Sequence, residues 1–105
     1  MELKGIYAPI PTPFTSDGSL DLPSLRTNLD AWTRSPLDGL VVCGSNGEQP
    51  FLEPEERALL VRTVRDRSGS RFPLVAGATQ PTTRGTLELA RRLADAGADA
   101  LPLLP

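Results

Sequence analysis

The sequence predicts an α/β fold on a parallel sheet, with strands and helices in the order βαβαβαβ. Short apolar runs alternate with amphipathic runs three times along the 105 residues, and a fourth apolar run closes the chain. The runs at 39–43 and 73–77 show no polar alternation, which is typical of strands covered on both faces. Strands joined through helices pair in parallel with right-handed crossovers.

The first strand is predicted at 5–10, an apolar run closed by the prolines of "PTPF". The first helix is predicted from an Asp21 cap to about Ser35. Pro23 suits its first turn, where a missing N–H costs nothing. Apolar residues at helical spacing form one face of this helix: Leu22, Leu25, Leu29 and Trp32.

The second strand is predicted at 39–43 and the second helix at 52–69, with Pro54 near its start and Gly69 at its end. Charged residues at both ends of this helix suit its dipole: Glu55 and Glu56 near the start, Arg65 and Arg67 near the end.

The third strand is predicted at 72–77 and the third helix at 82–99, with Gly97 as its terminator. One face of this helix is predicted to consist of Leu89, Ala90, Leu93 and Ala94. A fourth strand is predicted to begin in 98–105, although Pro102 cannot donate to a strand ladder.

This order fits two architectures, a small open α/β sheet or the first half of a (β/α)8 barrel, which needs ~250 residues. The chain stops on an apolar strand, which leaves a strand edge and one face of the sheet uncovered. We therefore expect residues 1–105 to be the N-terminal portion of a single TIM-barrel domain, truncated after βαβαβαβ.

Composition excludes several classes of function. Eleven basic residues against 13 acidic residues give a net charge of −2, which is not the charge of a nucleic-acid binder. The chain has one cysteine and no histidine, so it offers no disulfide, no Ser-His or Cys-His pair and no predicted metal site. No apolar run is long enough for a membrane span, and the start lacks a secretory pattern. We expect a cytoplasmic protein without a cofactor.

Ligand sites in both architectures collect at the carboxyl ends of parallel strands. Three segments follow those ends: 11–14, 44–48 and 77–83. The second, "GSNGE", is the richest in hydrogen-bond donors, because its backbone N–H groups can converge beside a hydroxyl and an amide. The predicted substrate-binding residues are Gly44, Ser45, Asn46 and Gly47. A carboxylate fits this loop better than a triphosphate, since the lysine of a P-loop is missing.

A plain turn is the alternative for this loop, because Asn-Gly is a strong hairpin signal. A hairpin needs a strand on both sides, however, and 48–57 carries two prolines and four glutamates. Three other residues have both a structural and a chemical interpretation. The Glu48 carboxylate either accepts hydrogen bonds from nearby backbone groups or acts as a general base. Cys43 is either a small buried residue or a nucleophile, and Tyr7 is either a core aromatic residue or a proton donor. Lys4, the only lysine, precedes the first strand and is expected at the surface.

Four blocks of this chain resemble one known family in order and spacing. They are "GIYAPIPTPFTSDGSLDLPSL", "GLVVCGSNGEQPFLEPEER", "PLVAGAT" and "ADAGADALPLLP". Together they resemble the N-terminal third of the dihydrodipicolinate synthase/N-acetylneuraminate lyase family, class I aldolases on a TIM barrel. The family's usual Gly-Thr-Thr-Gly-Glu loop, which binds the carboxylate of pyruvate or another 2-oxo acid, corresponds here to 44–48. The variant "GSNGE" is most similar to the 4-hydroxy-2-oxoglutarate aldolase branch.

The resemblance implies Schiff-base chemistry by a lysine on the sixth strand and a tyrosine after the fifth. Both lie beyond residue 105, so no catalytic residue is expected in this chain and the chain alone is predicted to be inactive. The family resemblance also implies a homo-oligomer, a dimer or tetramer, for the full-length form. Dihydrodipicolinate synthase and a sugar-acid aldolase are the alternatives within the family. Outside catalysis, the alternatives are a half-barrel that pairs with another chain and a small α/β carboxylate-binding domain.

Overall fold

The computed structural model describes residues 5–42, 53–69, 72–78 and 80–101. Three strands alternate with three helices, and the strands pair in parallel in the order β1-β2-β3. The elements are β1 (Tyr7–Pro9), α1 (Leu22–Trp32), β2 (Gly39–Val42), α2 (Pro54–Ser68), β3 (Leu74–Ala76) and α3 (Thr83–Ala96). The predicted parallel α/β order is confirmed for these elements.

The predicted fourth strand is present at its first pairing step. Ala100 forms a parallel bridge with Val75, and its carbonyl oxygen accepts a hydrogen bond of 3.0 Å from the N–H of Ala76. Residues 102–105, including Pro102, lie outside the described residues.

The predicted helix ends agree with the structure where a local signal fixes them. The Asp21 carboxylate accepts a hydrogen bond of 3.1 Å from the N–H of Ser24 and so caps α1. Gly69 and Gly97 are the C-caps of α2 and α3, and Gly97 has the positive φ of 124° that favours glycine. Helix α1 ends at Trp32, three residues before its predicted end near Ser35.

One face of the sheet packs on the three helices. Alternate strand residues Leu40, Val42, Leu74 and Ala76 are buried there and meet leucines and valines of the helices. The remaining members of this core are Ile10, Leu25, Leu29, Leu60, Val61, Val64, Ala78, Leu89, Leu93 and Ala96. On α3 the predicted Ala94 is exposed, and Ala96 is buried in its place, because a spacing of four and then three residues from Leu89 follows the inward stripe.

The opposite face, which we call the open face, carries Tyr7, Pro9, Gly39, Val41 and Val75. In a strand, successive side chains point to opposite sides, so these residues point away from the helices. Val41 and Val75 are partly exposed, whereas their neighbours in sequence are fully buried. Within the described residues, the helices cover one face of these strands, and the expectation that both faces are covered stays a prediction.

A single arginine near the end of α2 joins three turns of the chain, a network we call the Arg65 clamp. Its Nε and Nη2 donate to the Gly97 carbonyl at 3.0 and 2.7 Å. Its Nη1 donates to the carbonyls of Gly69 and Phe72, at 2.9 Å each. Nη2 also forms an ion pair with Asp99. The clamp lies at the amino ends of the strands and holds α2, β3 and the end of α3 together.

The free edge of β1 lacks a hydrogen-bond donor at Pro9. The N–H of Ile10 points to β2 and donates to the Val41 carbonyl at 3.0 Å. Successive N–H groups of a strand alternate in direction, so the ring nitrogen of Pro9 lies on the side away from β2. Proline has no N–H there. Pro11, two residues further along, lacks one as well.

The cap of α1 predicts a dependence of stability on pH. Hydrogen bonds from the Ser24 hydroxyl and then from its N–H lower the pKa of Asp21. A carboxyl group whose pKa is lowered by folding stabilises the fold above its unfolded pKa of about 3.9, and this contribution is lost as pH falls through the folded pKa. We expect Asp21→Asn to reduce the free energy of unfolding most at neutral pH and progressively less below about pH 4.

Urea unfolding at several pH values measures this difference. Asp66→Asn, on the exposed side of α2, is the control for simple loss of a charge. An equal effect of Asp21→Asn at neutral pH and at about pH 2 would contradict the expectation.

Candidate functional site

The carboxyl ends of the three strands form one continuous edge. The N–H of Ile10 donates to the Val41 carbonyl and the N–H of Gly77 donates to the Val42 carbonyl, both at 3.0 Å. These bonds extend the pairing by one step beyond β1 and β3. The segments that follow the strands therefore leave the sheet side by side, and β2 is the central strand.

The predicted carboxylate-binding residues follow the central strand. Residues 43–52 connect Val42 with Glu53, which precedes α2. Gly44, Ser45, Asn46 and Gly47 lie outside the described residues, as do Lys4, Cys43 and Glu48. Their roles stay predictions. The structure describes the frame on either side of this segment.

A compact turn forms the β1 side of this frame. Phe14 and Leu20 form an antiparallel bridge, and the N–H of Thr15 donates to the Ser19 carbonyl at 2.8 Å. Inside the turn, hydrogen bonds from the Thr15 hydroxyl and then from the Ser19 N–H lower the pKa of Asp17. The turn thus satisfies its own polar groups and brings the chain back to the start of α1.

The β3 side of the frame is held to the first turn of α3. The N–H of Gln80 donates to the Thr86 hydroxyl at 2.9 Å, and the Thr82 hydroxyl accepts from the N–H of Gly85 at 2.9 Å. A Cβ atom at Gly85 would lie 3.3 Å from the Gln80 Cβ. Glycine therefore lets this segment lie directly on the helix.

A buried cation near the start of α2 was not predicted from the sequence. Arg57 is only 3% exposed, and it lies on the same stripe as Leu60, Val61 and Val64. Arg57 precedes these apolar positions by three, four and seven residues, and this helical spacing indicates that it lies on the buried face. Because α2 begins at the carboxyl edge, Arg57 places a buried positive charge at the end of the helix nearest to that edge.

Tyr7 lies away from the carboxyl edge. Its ring covers Gly39 on the open face, where a Cβ atom on Gly39 would lie 2.6 Å from the Tyr7 Cδ2. This pair is the first register step of β1 and β2, two residues before Pro9 and Val41. Packing between strands thus accounts for Tyr7, which favours the structural interpretation over proton donation.

The described part of the chain contains neither a cluster of metal ligands nor a membrane-spanning helix. Within residues 5–42, 53–69, 72–78 and 80–101, no three acidic or cysteine side chains stand together as metal ligands would. None of the helices in those ranges is long and apolar enough to cross a membrane.

The sequence profile of the dihydrodipicolinate synthetase family matches residues 2–105. The chain belongs to this family. A curated family relative, the 4-hydroxy-tetrahydrodipicolinate synthase of Methanothrix thermoacetophila, is 42% identical over 101 residues, which are 96% of this chain and 34% of that protein. The chain thus spans about one third of the length of the curated relatives that it matches.

Solved structures of dihydrodipicolinate synthase family proteins have the same fold over this length. One from Coccidioides immitis superposes with a TM-score of 0.89 at 40% identity, covering 92% of this chain and 32% of its own. YagE from E. coli K12, solved in complex with pyruvate, gives a TM-score of 0.86 at 37% identity over 92% of this chain and 33% of its own. The described α/β unit therefore corresponds to the N-terminal part of the (β/α)8 barrel that the sequence predicted.

Proposed function

We propose that this chain is the N-terminal part of a Schiff-base-forming 2-oxo-acid aldolase and binds the substrate carboxylate through Gly44, Ser45, Asn46 and Gly47. The observation that carries the proposal is the position of segment 43–52, which follows the central strand at the carboxyl edge of the sheet. Ligands of parallel α/β folds bind at this edge. The pyruvate complex of the related YagE supports a 2-oxo acid as the ligand class.

The donors of this loop suit an anionic ligand. The Ser45 hydroxyl, the Asn46 amide and the backbone N–H groups donate to the two carboxylate oxygens, and the flanking glycines let the backbone approach. The amine that forms the Schiff base lies outside this chain in our proposal. Lys4, the only lysine, precedes β1 and so belongs to the amino end of the strand. We accordingly propose that the 105 residues alone have no aldolase activity.

The reaction of the whole protein is a finer proposal. We favour cleavage of 4-hydroxy-2-oxoglutarate, because Ser45-Asn46 replaces the double threonine that the resemblance associates with the family loop. The curated relatives carry the name 4-hydroxy-tetrahydrodipicolinate synthase, which is the competing activity. Residues 1–105 form one portion of a single barrel domain in this proposal, and the full-length protein is a cytoplasmic homo-oligomer.

Titration of the chain with pyruvate tests the carboxylate site. Loss of one hydrogen bond to a charged group costs about 1.5–3 kcal/mol, so we expect Ser45→Ala to weaken pyruvate binding by about tenfold or more. Ser35→Ala, on an exposed serine after α1, is the matched control and leaves the affinity unchanged. Equal affinities for both variants and the parent chain would refute the carboxylate role of Ser45.

Borohydride trapping tests the predicted inactivity. The chain is incubated with pyruvate and sodium borohydride and then weighed by mass spectrometry. We expect no pyruvate adduct reduced onto a catalytic lysine and no turnover of 4-hydroxy-2-oxoglutarate. An adduct on Lys4 together with substrate turnover would overturn this proposal.

A second candidate function, a half-barrel that pairs with another chain, is favoured by the open face. Val41 and Val75 are partly exposed there although both are apolar. A pairing partner would remove this surface from water. Sedimentation of a folded monomer at micromolar concentration would count against this candidate.

A further inference from the structure

Two aspartates attach neighbouring strands to each other in the same way. The N–H of Asp99 donates to the Leu74 carbonyl at 2.8 Å, and its carboxylate accepts from the N–H of Leu74 at 2.9 Å. Asp38 exchanges the same two bonds with Ile6, at 2.8 and 2.6 Å. We call each closed pair of hydrogen bonds an aspartate ring. The Asp38 ring joins the amino ends of β1 and β2, and the Asp99 ring joins segment 99–101, the described start of the fourth strand, to β3.

The two central strands, β2 and β3, are joined differently. Backbone groups of buried residues pair along their length, and the N–H of Leu40 donates to the Pro73 carbonyl at 3.0 Å. The strand residues that face the helices are at most 1% exposed: Leu40, Val42, Leu74 and Ala76. Separation of these two strands would therefore open the core itself.

Segment 99–101 is attached less firmly. Beyond the Asp99 ring, the N–H of Ala100 donates to the Leu74 carbonyl at 3.2 Å, and the Ala100 carbonyl accepts from the N–H of Ala76 at 3.0 Å. Ala100 and Leu101 are only partly buried, and the Asp99 side chain is 38% exposed. Local opening is favoured where few apolar groups are buried and the backbone bonds lie near water.

The Arg65 clamp divides at Asp99 into a part that stays and a part that leaves. Arg65 donates to carbonyls of three other turns, and none of these bonds involves segment 99–101. Release of Asp99 therefore leaves α2, β3 and the end of α3 tied together. The Asp99 carboxylate holds its segment through two partners, the N–H of Leu74 and the guanidinium of Arg65.

We propose that Asp99 is a latch for the fourth strand, so that segment 99–101 detaches from β3 and reattaches while the three strands and three helices stay folded. In the open form the Asp99 carboxylate is in water, and the N–H groups of Leu74 and Ala76 face solvent along the edge of β3. Gly77 keeps its bond to the Val42 carbonyl. The inference is independent of the proposed carboxylate site, because it uses none of residues 44–47.

Native-state hydrogen exchange, resolved residue by residue with NMR, tests the latch. The amide of Ala76 reports the attachment of segment 99–101, and the amide of Gly77 reports the pairing of β2 with β3. We expect Ala76 to be about tenfold less protected than Gly77 in the parent chain. Its exchange should also depend less on urea, because a local opening exposes little surface.

Two variants with opposite expectations make the test decisive. Asp99→Ala should lower the protection of Ala76 by about tenfold, since it removes a charged acceptor. Ile10→Val, a small change in the core beside β1, should lower the protection of Gly77 by about threefold. It should leave Ala76 unchanged, because Ile10 packs identically in the latched and open forms. Asp95→Ala, at an exposed aspartate of α3, is the control for Asp99 and should change neither amide.

Three results would refute the latch. Equal protection and equal urea dependence of Ala76 and Gly77 in the parent chain, or an equal loss at both amides in Ile10→Val, would show that the segment opens only with the whole sheet. Unchanged protection of Ala76 in Asp99→Ala would show that Asp99 does not hold the segment. Asp99→Asn keeps the side-chain shape and removes the charge, so it provides the same test, with a smaller expected loss, if the alanine variant does not fold.

Discussion

Replacement of Arg65 by alanine is expected to lower the free energy of unfolding by about 2 kcal/mol, since the part-buried bonds to the Phe72 and Gly97 carbonyls are lost, and loss of a donor to a buried acceptor costs about 1–3 kcal/mol. The guanidinium is 19% exposed and donates to the carbonyls of Gly69, Phe72 and Gly97. Asp99 loses its cation in the same variant, although it keeps a hydrogen bond of 2.9 Å from the N–H of Leu74. Urea unfolding followed by circular dichroism measures the loss.

Two further variants show whether the fork of donors or the charge is responsible. Arg65→Lys keeps the charge but cannot reach three carbonyls at once, so most of the loss should persist. Arg67→Ala removes an arginine whose two bonds, 2.8 and 2.7 Å long, go to the half-exposed Asp30, and its effect should be much smaller. A lysine variant as stable as the parent would show that the carbonyl contacts contribute little.

Gly39→Ala is expected to destabilise the protein by about 2 kcal/mol, a typical cost of overpacking. The new Cβ atom would stand 2.6 Å from Cδ2 of the Tyr7 ring, far inside any acceptable contact. Tyr7 and Gly39 are paired in the strand register, so the ring lies directly over position 39 and has to shift to admit a Cβ atom there. Thermal unfolding of the purified variant provides the measurement.

A double-mutant cycle identifies the cause of this loss. In a Tyr7→Ala background the methyl group added at position 39 has space, so Gly39→Ala should then cost little. Gly18→Ala is a contrasting control, because no atom lies within 4 Å of its added Cβ and only the φ of 89° opposes it. Additive effects of the Tyr7 and Gly39 changes would contradict the steric explanation.

The sequence predicted the parts of the fold that local chemistry determines. Asp21 caps α1 through a residue three positions away, and Gly97 ends α3 through its own φ. Both signals act within one helical turn, so they can be read without the tertiary structure. The parallel order followed from the apolar strands and the helices between them.

The parts that were missed depend on residues distant in sequence. Arg65 was expected only to suit the helix dipole, yet its main acceptor, Gly97, is 32 residues away. The fit of Tyr7 over Gly39 likewise requires the strand register. Neither contact produces a periodic pattern in the sequence, so both are visible only in the tertiary structure.

The candidate site divides in the same way. Residues 44–47 were predicted from their donors and from the position of their segment after a strand, and these roles remain proposals. The position of Val41 and Val75 on the open face was not predicted, because they resemble any other valines of a buried strand until the sheet shows which face each one occupies. The hydrogen-bond donors of 44–47 are adjacent in sequence, whereas a surface formed by several strands depends on how those strands pair.

The proline at the free edge of β1 has a consequence for the behaviour of this protein at high concentration. A strand from another molecule that added to this edge would find the carbonyl of Pro9 but no N–H, and its own facing carbonyl would stay unpaired. Growth of an intermolecular sheet from β1 is thereby interrupted at its first steps. Pro9 thus leaves this edge without one of the donors that an added strand would need.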